Sequence, residues 1–461
     1  MISDFLPHRP RPRSWFAPER TELSAMSRPA KTGTLLLALL LVVQVVFLCW
    51  CNLTQWTWHL DGDSSTQILK VMEITKAGSL SLPNWNDTTS LLLDTPLMVA
   101  ALLMPLFGNA FIAYGAGNLL LLAAFVYAIW QLLRRVSCPI PLRLTALFLI
   151  LTPYSYTEVL GYANCMVVQS AHYLMRVLYL VYLLYALLQL ERRERGFGHL
   201  ITWLFTLGLG AWIGLSSGLF LFLLVLLPVM LGFVLRALAA GKPRLLLTPG
   251  GGFLVLNLFG FGAGYLVQRF VIHFASRDAG ISWNSYTEFL PNLSKVIQGY
   301  LKLTNALPST GGVTILSGRG IAYGIAFVVA MSVLLGIVLC VWRLLHRPLD
   351  ACHAAGSQRG LLFACLLAVV AVNSLIVSGA SLAYGELVYE SRYLIFLFVA
   401  GALLLTLCLP WLKRAGTLYA PAVVLLAGLS AANAFLCDAG YVSSPTYDFS
   451  TAEAVTDALD E

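Results

Sequence analysis

The sequence predicts an all-α polytopic membrane protein with about eleven transmembrane helices. Hydrophobic residues make up 59% of the chain and charged residues only 11%. Many apolar runs reach the roughly 20 residues that a helix needs to cross the hydrocarbon core of a bilayer. These runs are continuous rather than alternating, which is typical of helices and not of barrel strands. Because backbone polar groups in lipid must be satisfied within the segment, helices fit best and the composition argues against a soluble fold.

The chain opens with a basic, proline-rich tail, residues 1–32, which contains PHRPRPRSWFAPER. The first apolar run, GTLLLALLLVVQVVFLCWCNL, starts at Gly33. The tail is too long and too rich in proline for the n-region of a signal peptide, and no small-residue cleavage site follows the run. We therefore expect a retained signal-anchor helix. The formal net charge of +7 is what Lys and Arg on cytoplasmic loops produce, and it indicates no nucleic-acid partner.

The later apolar runs and the basic loops between them predict the topology. We expect helices at 33–53, 110–133, 144–160, 168–190, 198–217, 219–239, 246–268, 321–343, 360–380, 393–412 and 417–437. Lys and Arg concentrate in the N-terminal tail and in short loops, which the positive-inside bias assigns to the cytoplasm. This gives a multi-pass protein of the plasma membrane with a cytoplasmic N-terminus. The acidic tail, 438–461, is then external.

The predicted membrane domain, 33–437, carries three sizeable external loops, at 54–95, 269–320 and 381–392. The apolar stretch 96–107 is too short for a full crossing, and we expect a re-entrant or interfacial piece there, with interfacial helices in the first loop. The nine cysteines show neither CxxC nor Cys/His ligand spacing. They are therefore expected to act as small apolar core residues.

Asp61 and Asp63 follow the first span in the stretch WTWHLDGDSS, together with His59. One interpretation is helix capping, because Asp-Ser-Ser is good N-cap chemistry. The other is a carboxylate at the membrane face that accepts a proton from an acceptor hydroxyl or binds a divalent cation. The next stretch, 66–77, is amphipathic and is predicted to rest on the bilayer surface. Its membrane-facing side would be formed by Ile68, Leu69, Met72 and Lys76.

Arg392 stands at the predicted outer end of the tenth span, in the sequence YESRY. An arginine there can extend to the lipid headgroups, or it can bind a phosphate through its planar guanidinium. Tyr389, Glu390 and Tyr393 surround it and are candidate pocket residues. Both interpretations of Arg392 are open from the sequence.

A second group of ionisable residues lies near other predicted external turns. Glu158, His172 and Arg176 flank one turn, and the spacing of His172 and Arg176 predicts one shared helix face. Arg269 and His273 form another such pair, at the predicted outer end of the seventh span. Cations on the external side run against the positive-inside bias, which favours an anionic ligand there. Taken alone, His172 is also what a satisfied interior histidine looks like.

This layout resembles the GT-C superfamily of polytopic membrane glycosyltransferases, which includes protein mannosyltransferases and aminoarabinose transferases. The likeness covers the whole membrane domain and rests on short motifs, HLDGDSS, SLPNW, LLLDTPL, LFGN and a late ESRYLIF. The resemblance implies sugar transfer from a polyprenyl-phosphate donor, with Asp63 or Asp61 as base or metal ligand. It implies that Arg392 holds the lipid phosphate. The first loop has Asp-Gly-Asp in place of the Asp-Glu of protein mannosyltransferases, and we expect no large soluble C-terminal domain of the oligosaccharyltransferase kind.

The expected acceptor is a glycan, a lipid or a protein, at the membrane surface. The resemblance gives no certain cofactor beyond an optional divalent cation. Two rival functions fit the same layout. A flippase or transporter of lipid-linked glycans would show repeated halves and broken helices near the midplane. A polysaccharide polymerase or ligase would depend on 269–320 rather than on 54–95.

Overall fold

The computed structural model describes most of the membrane domain. It covers residues 22–24, 26–55, 62–79, 82, 85, 91–156, 158, 161–168, 171–191, 196–272, 282–308, 312–346, 358–381, 391–409 and 415–441. Most of the predicted acidic tail and most of the basic tail lie outside these residues, and α14, given below, includes the first four residues of the acidic tail. All structural statements below refer to the described ranges.

The described chain is built almost wholly from α-helices. They are α1 (Arg28–Thr54), α2 (Gly62–Ala77), α3 (Leu97–Phe107), α4 (Ala110–Arg135), α5 (Ile140–Leu151), α6 (Leu174–Glu191), α7 (Phe197–Ser217), α8 (Leu219–Ala239), α9 (Pro249–Phe270), α10 (Tyr286–Leu303), α11 (Gly318–His346), α12 (Gln358–Gly379), α13 (Ile395–Cys408) and α14 (Ala415–Tyr441). A π-helical turn spans Ala163–Val167, another lies inside α8 at Phe222–Leu226, and 3₁₀ turns span Pro243–Leu247 and Ser391–Leu394. Two-residue strands β1 (Ser282–Trp283) and β2 (Ala380–Ser381) pair antiparallel, Ser282 with Ser381.

Ten of the described helices are long and apolar enough to cross a membrane. They are α1, α4, α6, α7, α8, α9, α11, α12, α13 with its preceding 3₁₀ turn, and α14. This confirms a polytopic helical membrane protein. The count of eleven crossings stays a prediction, because α5 has only 12 residues, or about 18 Å at 1.5 Å per residue.

The predicted helix 144–160 is the clearest difference between sequence and structure. The helix begins earlier, at Ile140, and ends at Leu151, after which Thr152 is extended with a ψ of 126°. Pro153 follows, and proline disfavours the helical conformation of the residue before it. The next helix, predicted from 168, begins only at Leu174. His172 therefore precedes α6, and the prediction that it shares a helix face with Arg176 was wrong.

The stretch 96–107 forms a short helix that folds back against the next span. Helix α3 has 11 residues, about 16 Å, which is half of a bilayer core. Gly108 ends it in the left-handed conformation, with a φ of 64°, and Asn109 caps α4 by accepting hydrogen bonds from the amides of Phe111 and Ile112. The pair agrees with the predicted re-entrant or interfacial piece.

The core of the bundle is formed by α6 and α13, which are almost wholly buried. Three buried tyrosines, Tyr154, Tyr162 and Tyr300, surround Phe398 of α13 with ring centroids 5.3 to 6.3 Å apart. Outer helices such as α1 expose large apolar side chains, as lipid-facing helices do. Cys340 of α11 and Cys408 of α13 form a disulfide. The prediction that every cysteine is a simple core residue was wrong for this pair.

Helix α10 lies in the long predicted loop 269–320 and was not expected there. A capping box of Ser285 and Glu288 starts it, and Asn292 Nδ2 donates to the Ser378 carbonyl at the end of α12, 3.2 Å away. At its other end Tyr300 donates to the Ala330 carbonyl of α11 at 3.0 Å. These contacts fix α10 beside the turn Ser391–Leu394, which carries Arg392.

Helices α7 and α9 cross at glycines. A Cβ added at Gly264 would overlap the Ala211 carbonyl oxygen, and one at Gly214 would overlap that of Phe261. Small residues spaced by four let membrane helices approach this closely.

We expect Gly264→Ala to lower the stability of the protein by roughly 1–3 kcal/mol, because the added methyl group forces the two helices apart. Thermal unfolding in detergent measures the change. Gly262→Ala is the matched control, since a Cβ at Gly262 meets nothing within 4 Å and the helix propensity changes equally. Equal unfolding midpoints for the two variants would contradict the tight crossing.

Candidate functional site

The amphipathic helix α2 packs a partly polar face into the bundle. Gln67 and Lys70 are buried on this face beside Ile68, whereas Leu69 is 51% exposed and Met72 is 36% exposed. Leu69, Met72 and Lys76 are exposed, and the prediction that they face the membrane stays a prediction. The prediction is wrong for Ile68, because this residue joins the apolar cluster of α2, α3 and α4.

Asp94 forms the most deeply buried ion pair described. Its carboxylate is fully buried and accepts from Arg176, with Nε 2.6 Å from Oδ2 and Nη2 3.4 Å from Oδ1. Ser216 Oγ donates to Asp94 Oδ1 at 2.6 Å and accepts from the Asp94 amide at 3.1 Å. We call Asp94, Arg176 and Ser216 the Asp94 cluster. It joins the segment before α3 to the start of α6 and to the end of α7.

The segment that carries Asp94, residues 91–96, is held along its length, and we call it the clamp segment. Lys70 Nζ donates to the Leu91 carbonyl at 2.9 Å, and Trp212 Nε1 donates to the Leu93 carbonyl at 2.8 Å. Leu92 has a φ of 54°. This left-handed conformation is unfavourable for any residue other than glycine, and it persists only where the surrounding structure enforces it. Helices α2 and α7 therefore hold this segment by hydrogen bonds from two sides.

A second polar contact ties α2 to the start of α6. The Gln67 amide nitrogen lies 2.9 Å from His172 Nδ1, and Tyr114 of α4 donates to the Gln67 carbonyl oxygen. All three side chains are buried. His172 is thus a partnered interior histidine that anchors the helix next to the predicted catalytic carboxylates.

Arg392 lies close to this group. Its guanidinium stands 5.6 Å from the centroid of the Tyr393 ring. Arg176 stands 5.1 Å from the Tyr173 centroid. Burial raises the pKa of Tyr173, with Tyr393 adding to the effect and the two arginines opposing it. Tyr173 packs against Phe396, four residues after Arg392, with ring centroids 6.1 Å apart, which places the Arg176–Tyr173 contact near the turn Ser391–Leu394.

Glu158 lies elsewhere, against α10. Lys302 Nζ is 3.4 Å from Glu158 Oε2, and Ser155 Oγ donates to the Lys302 carbonyl at 2.6 Å. Burial raises the pKa of Glu158, and the nearby Lys302 opposes the rise. The printed contacts thus place Glu158 against α10, whereas Arg176 pairs with Asp94 and His172 lies against Gln67.

Replacing Lys302 by methionine is expected to make stability fall more steeply with pH. A folded-state pKa above the unfolded value means that the fold prefers the protonated acid, so the contribution of Glu158 to stability is lost as pH rises from about 4.3 through the folded pKa. Without Lys302 the folded pKa rises further and the loss grows. The difference in unfolding midpoint between wild type and Lys302→Met, measured from pH 4 to pH 8, should widen with pH. In a Glu158→Gln background the same substitution should show no such widening.

Several predicted site residues lie outside the described residues, namely His59, Asp61, His273, Tyr389 and Glu390. Asp63 is placed in the first turn of α2, one turn before Gln67, but its side chain also lies outside the described part. Arg269 is exposed in the last turn of α9, and the structure does not bring it into the Asp94 cluster. Its neighbour Gln268 donates to the Ser216 carbonyl at 3.0 Å.

Within the described ranges, no group of three or more His, Cys, Asp or Glu side chains could hold a metal ion. The side chains of the predicted ligands Asp61 and Asp63 are outside the described ranges, so this statement does not apply to them. A divalent cation in the first loop therefore stays a prediction.

The structure adds site residues that sequence reasoning missed, namely Gln67, Lys70, Asp94, Tyr114, Trp212 and Ser216. Asp94 carried a usable signal, because it is a lone carboxylate in the apolar run LLLDTPLMVAALL. An ionisable residue in such a run faces the bundle interior and has a partner. No protein-family model, curated protein or solved structure matches this chain.

Proposed function

We propose that this protein is an integral membrane glycosyltransferase of the GT-C type. It transfers a sugar from a polyprenyl-phosphate donor to a glycan, lipid or protein acceptor at the extracytoplasmic face of the plasma membrane. The N-terminus is cytoplasmic and the C-terminus external in this proposal. The active site lies where α2, the clamp segment, α6 and the turn Ser391–Leu394 meet.

One observation carries the proposal: Tyr173, whose ring lies 5.1 Å from the buried Arg176, packs against Phe396, four residues after Arg392, with ring centroids 6.1 Å apart. Ionisable side chains buried among membrane helices are costly and mark functional sites. A lipid phosphate needs cations next to apolar walls, and a guanidinium binds it through a planar fork. The position of Arg392 four residues before Phe396, which packs against Tyr173, favours this role over simple extension to the headgroups.

The first turn of α2 brings Asp63 toward the same end of the bundle. Gln67, one turn later, contacts His172, which fixes this part of the helix to the start of α6. Asp61 lies two residues before Asp63. Either carboxylate is therefore well placed in sequence to serve an acceptor that approaches the membrane surface.

The reaction is a single displacement with inversion. The carboxylate of Asp63 or Asp61 accepts the proton of an acceptor hydroxyl, and the hydroxyl oxygen attacks the anomeric carbon. The bond from that carbon to the phosphate oxygen breaks, and polyprenyl phosphate leaves with the electron pair. A general base contributes about 10²–10⁴-fold, and Arg392 stabilises the negative charge that grows on the leaving phosphate.

Sugar transfer by purified protein from a panel of radiolabelled polyprenyl-phosphate sugars tests the proposal. We expect transfer or donor hydrolysis by wild type, and a loss of about 10²-fold or more in Asp63→Asn, in Asp61→Asn or only in the double variant. Full activity in all three variants would refute the assigned base.

The rival functions give different results in the same experiment. Wild type that turns over no donor but moves lipid-linked glycan across vesicles would be a flippase. Activity that survives both carboxylate substitutions but is lost on changing residues of 269–320 would indicate a polymerase or ligase.

A further inference from the structure

Helix α10 divides its side chains among three faces of different character. The buried face packs against the bundle and is formed by Asn292, Val296, Gly299, Tyr300 and Leu303. The polar face is exposed and carries Thr287, Glu288, Ser294 and Gln298. The third face, which we call the apolar stripe, consists of Tyr286, Leu290, Leu293 and Ile297, each between 40% and 95% exposed. Their spacing of three and four residues places these four side chains on one side of the helix.

The two ends of α10 lie at different depths of the bundle. Just before the helix, the Asn284 amide donates to the carbonyl of Gly379, the last residue of α12, at 2.8 Å. Near the other end, the Tyr300 hydroxyl donates to the carbonyl of Ala330, which is the middle residue of the apolar span Gly318–Trp342 of α11. Helix α10 therefore starts at the end of α12 and approaches the middle of a helix that is long and apolar enough to cross the membrane.

Helix α12 ends on the side of the bundle where α11 begins. The start of α12 lies beside the end of α13, because Arg359 Nη2 donates to the Leu407 carbonyl at 3.3 Å. Helix α11 ends there too, since Cys340 is bonded to Cys408. Gly379, at the other end of α12, thus lies near the start of α11. It follows that α10 runs inward along the first half of α11.

The apolar stripe lies on the side of α10 that adjoins α11. Each residue of a helix turns the side-chain direction by about 100°, which places Tyr300 between Asn292 and the stripe around the helix. Asn292 contacts α12 and Tyr300 contacts α11, so the stripe lies beyond the contact with α11. At this level α11 itself exposes large apolar side chains, namely Phe327, Val328 and Met331. On a membrane-spanning helix such side chains face lipid, and the stripe borders that surface.

We propose that the apolar stripe binds the acyl chains of membrane phospholipids, so that α10 is a half-inserted helix with its polar face toward water. An amphipathic helix at an interface buries its apolar face about 5–10 Å into the boundary between headgroups and acyl chains. The order of the side chains agrees with this depth. Tyr286, in the first and outermost turn, combines an aromatic ring with a hydroxyl group, as is typical of the headgroup level. The aliphatic residues Leu290, Leu293 and Ile297 follow deeper along the helix.

This inference does not depend on the proposed function, because it concerns the membrane and no sugar donor. It changes the interpretation of the predicted external loop 269–320. Residues 286–303 belong to the membrane domain, and lipid holds α10 in place together with its contacts to α11 and α12. The large loop predicted from the sequence is correspondingly shorter.

Photolabelling of the wild-type protein in bilayers tests the proposal. The bilayer contains a phospholipid with a diazirine in its acyl chain, and peptide mass spectrometry locates the adducts after irradiation. We expect at least about tenfold more adduct on Leu290, Leu293 and Ile297 than on the polar-face residues Ser294 and Gln298, because acyl chains reach only the inserted face. Val328 of α11 is the lipid-facing control. Equal labelling of the two faces, or a stripe without adducts while Val328 is labelled, would overturn the proposal.

Two preparations separate lipid from other occupants of the stripe. Nanodiscs that hold one copy of the protein exclude a second copy, whereas liposomes at high protein density allow one. Adducts on the stripe in both preparations would support binding of acyl chains. Adducts in nanodiscs alone would show that a second copy covers the stripe, which would overturn the proposal. A stripe covered by another segment of the chain would stay unlabelled in both, with the same consequence.

Discussion

Arg176→Met is expected to destabilise the protein more than any other single substitution at the site, by about 3–5 kcal/mol. The loss arises because Asp94, which is fully buried, remains a carboxylate in the core but loses its counter-ion, the guanidinium 2.6 Å away. Methionine fills much of the volume of the arginine stem, so the effect reports the missing charge and not a cavity. Thermal unfolding in detergent at neutral pH measures it.

The double variant Arg176→Met/Asp94→Asn separates charge from packing. Removing both charges leaves no unpaired ion, so we expect it to recover a large part of the lost stability. Unfolding should also respond to pH in Arg176→Met, since protonation of Asp94 relieves the buried charge and acid conditions should narrow the gap to wild type. A double variant as unstable as Arg176→Met would show that Asp94 contributes no buried charge.

The membrane spans were predictable because their signal is local and long. Ten helices of the structure correspond to predicted runs, and most bounds agree within a few residues. The prediction failed where a short signal decides the structure, as at Pro153, which ends α5 before the apolar run ends. It also failed for α10, which is too polar for a membrane span and buries one face, with Asn292, Val296 and Tyr300 spaced by four.

The site was predictable only in part, because its contacts join residues far apart in the chain. Asp94 and Arg176 are 82 residues apart, and Gln67 and His172 are 105 apart. No spacing rule relates such pairs in a single sequence. Arg176 and His172 were found as unusual ionisable residues near a span end, whereas their partners Asp94 and Gln67 were not. The sequence therefore indicated half of each pair.

Arg392 is the residue for which two interpretations were open, and its substitution by alanine distinguishes them. If it binds the leaving phosphate, we expect kcat/KM for the polyprenyl-phosphate sugar to fall by about 10²–10³-fold, the usual loss of a charge-stabilising donor. Arg392→Lys should recover only part of the activity, because an ammonium cannot reproduce the planar fork. If it only extends to the headgroups, stability would fall while the KM for the donor stayed the same.

Arg319→Ala is the control for a general loss of surface charge. Arg319 is exposed in the first turn of α11. Helices α11 and α13 run in the same direction, since Gly401 meets Val333 and Gly336 meets Leu405, so Arg319 and Arg392 lie toward the same end of the bundle. A substrate attracted only by the total charge of that end would respond equally to both substitutions. A phosphate held at Arg392 would respond to Arg392→Ala far more than to Arg319→Ala, because Arg392 lies four residues before Phe396, which packs against Tyr173 beside Arg176.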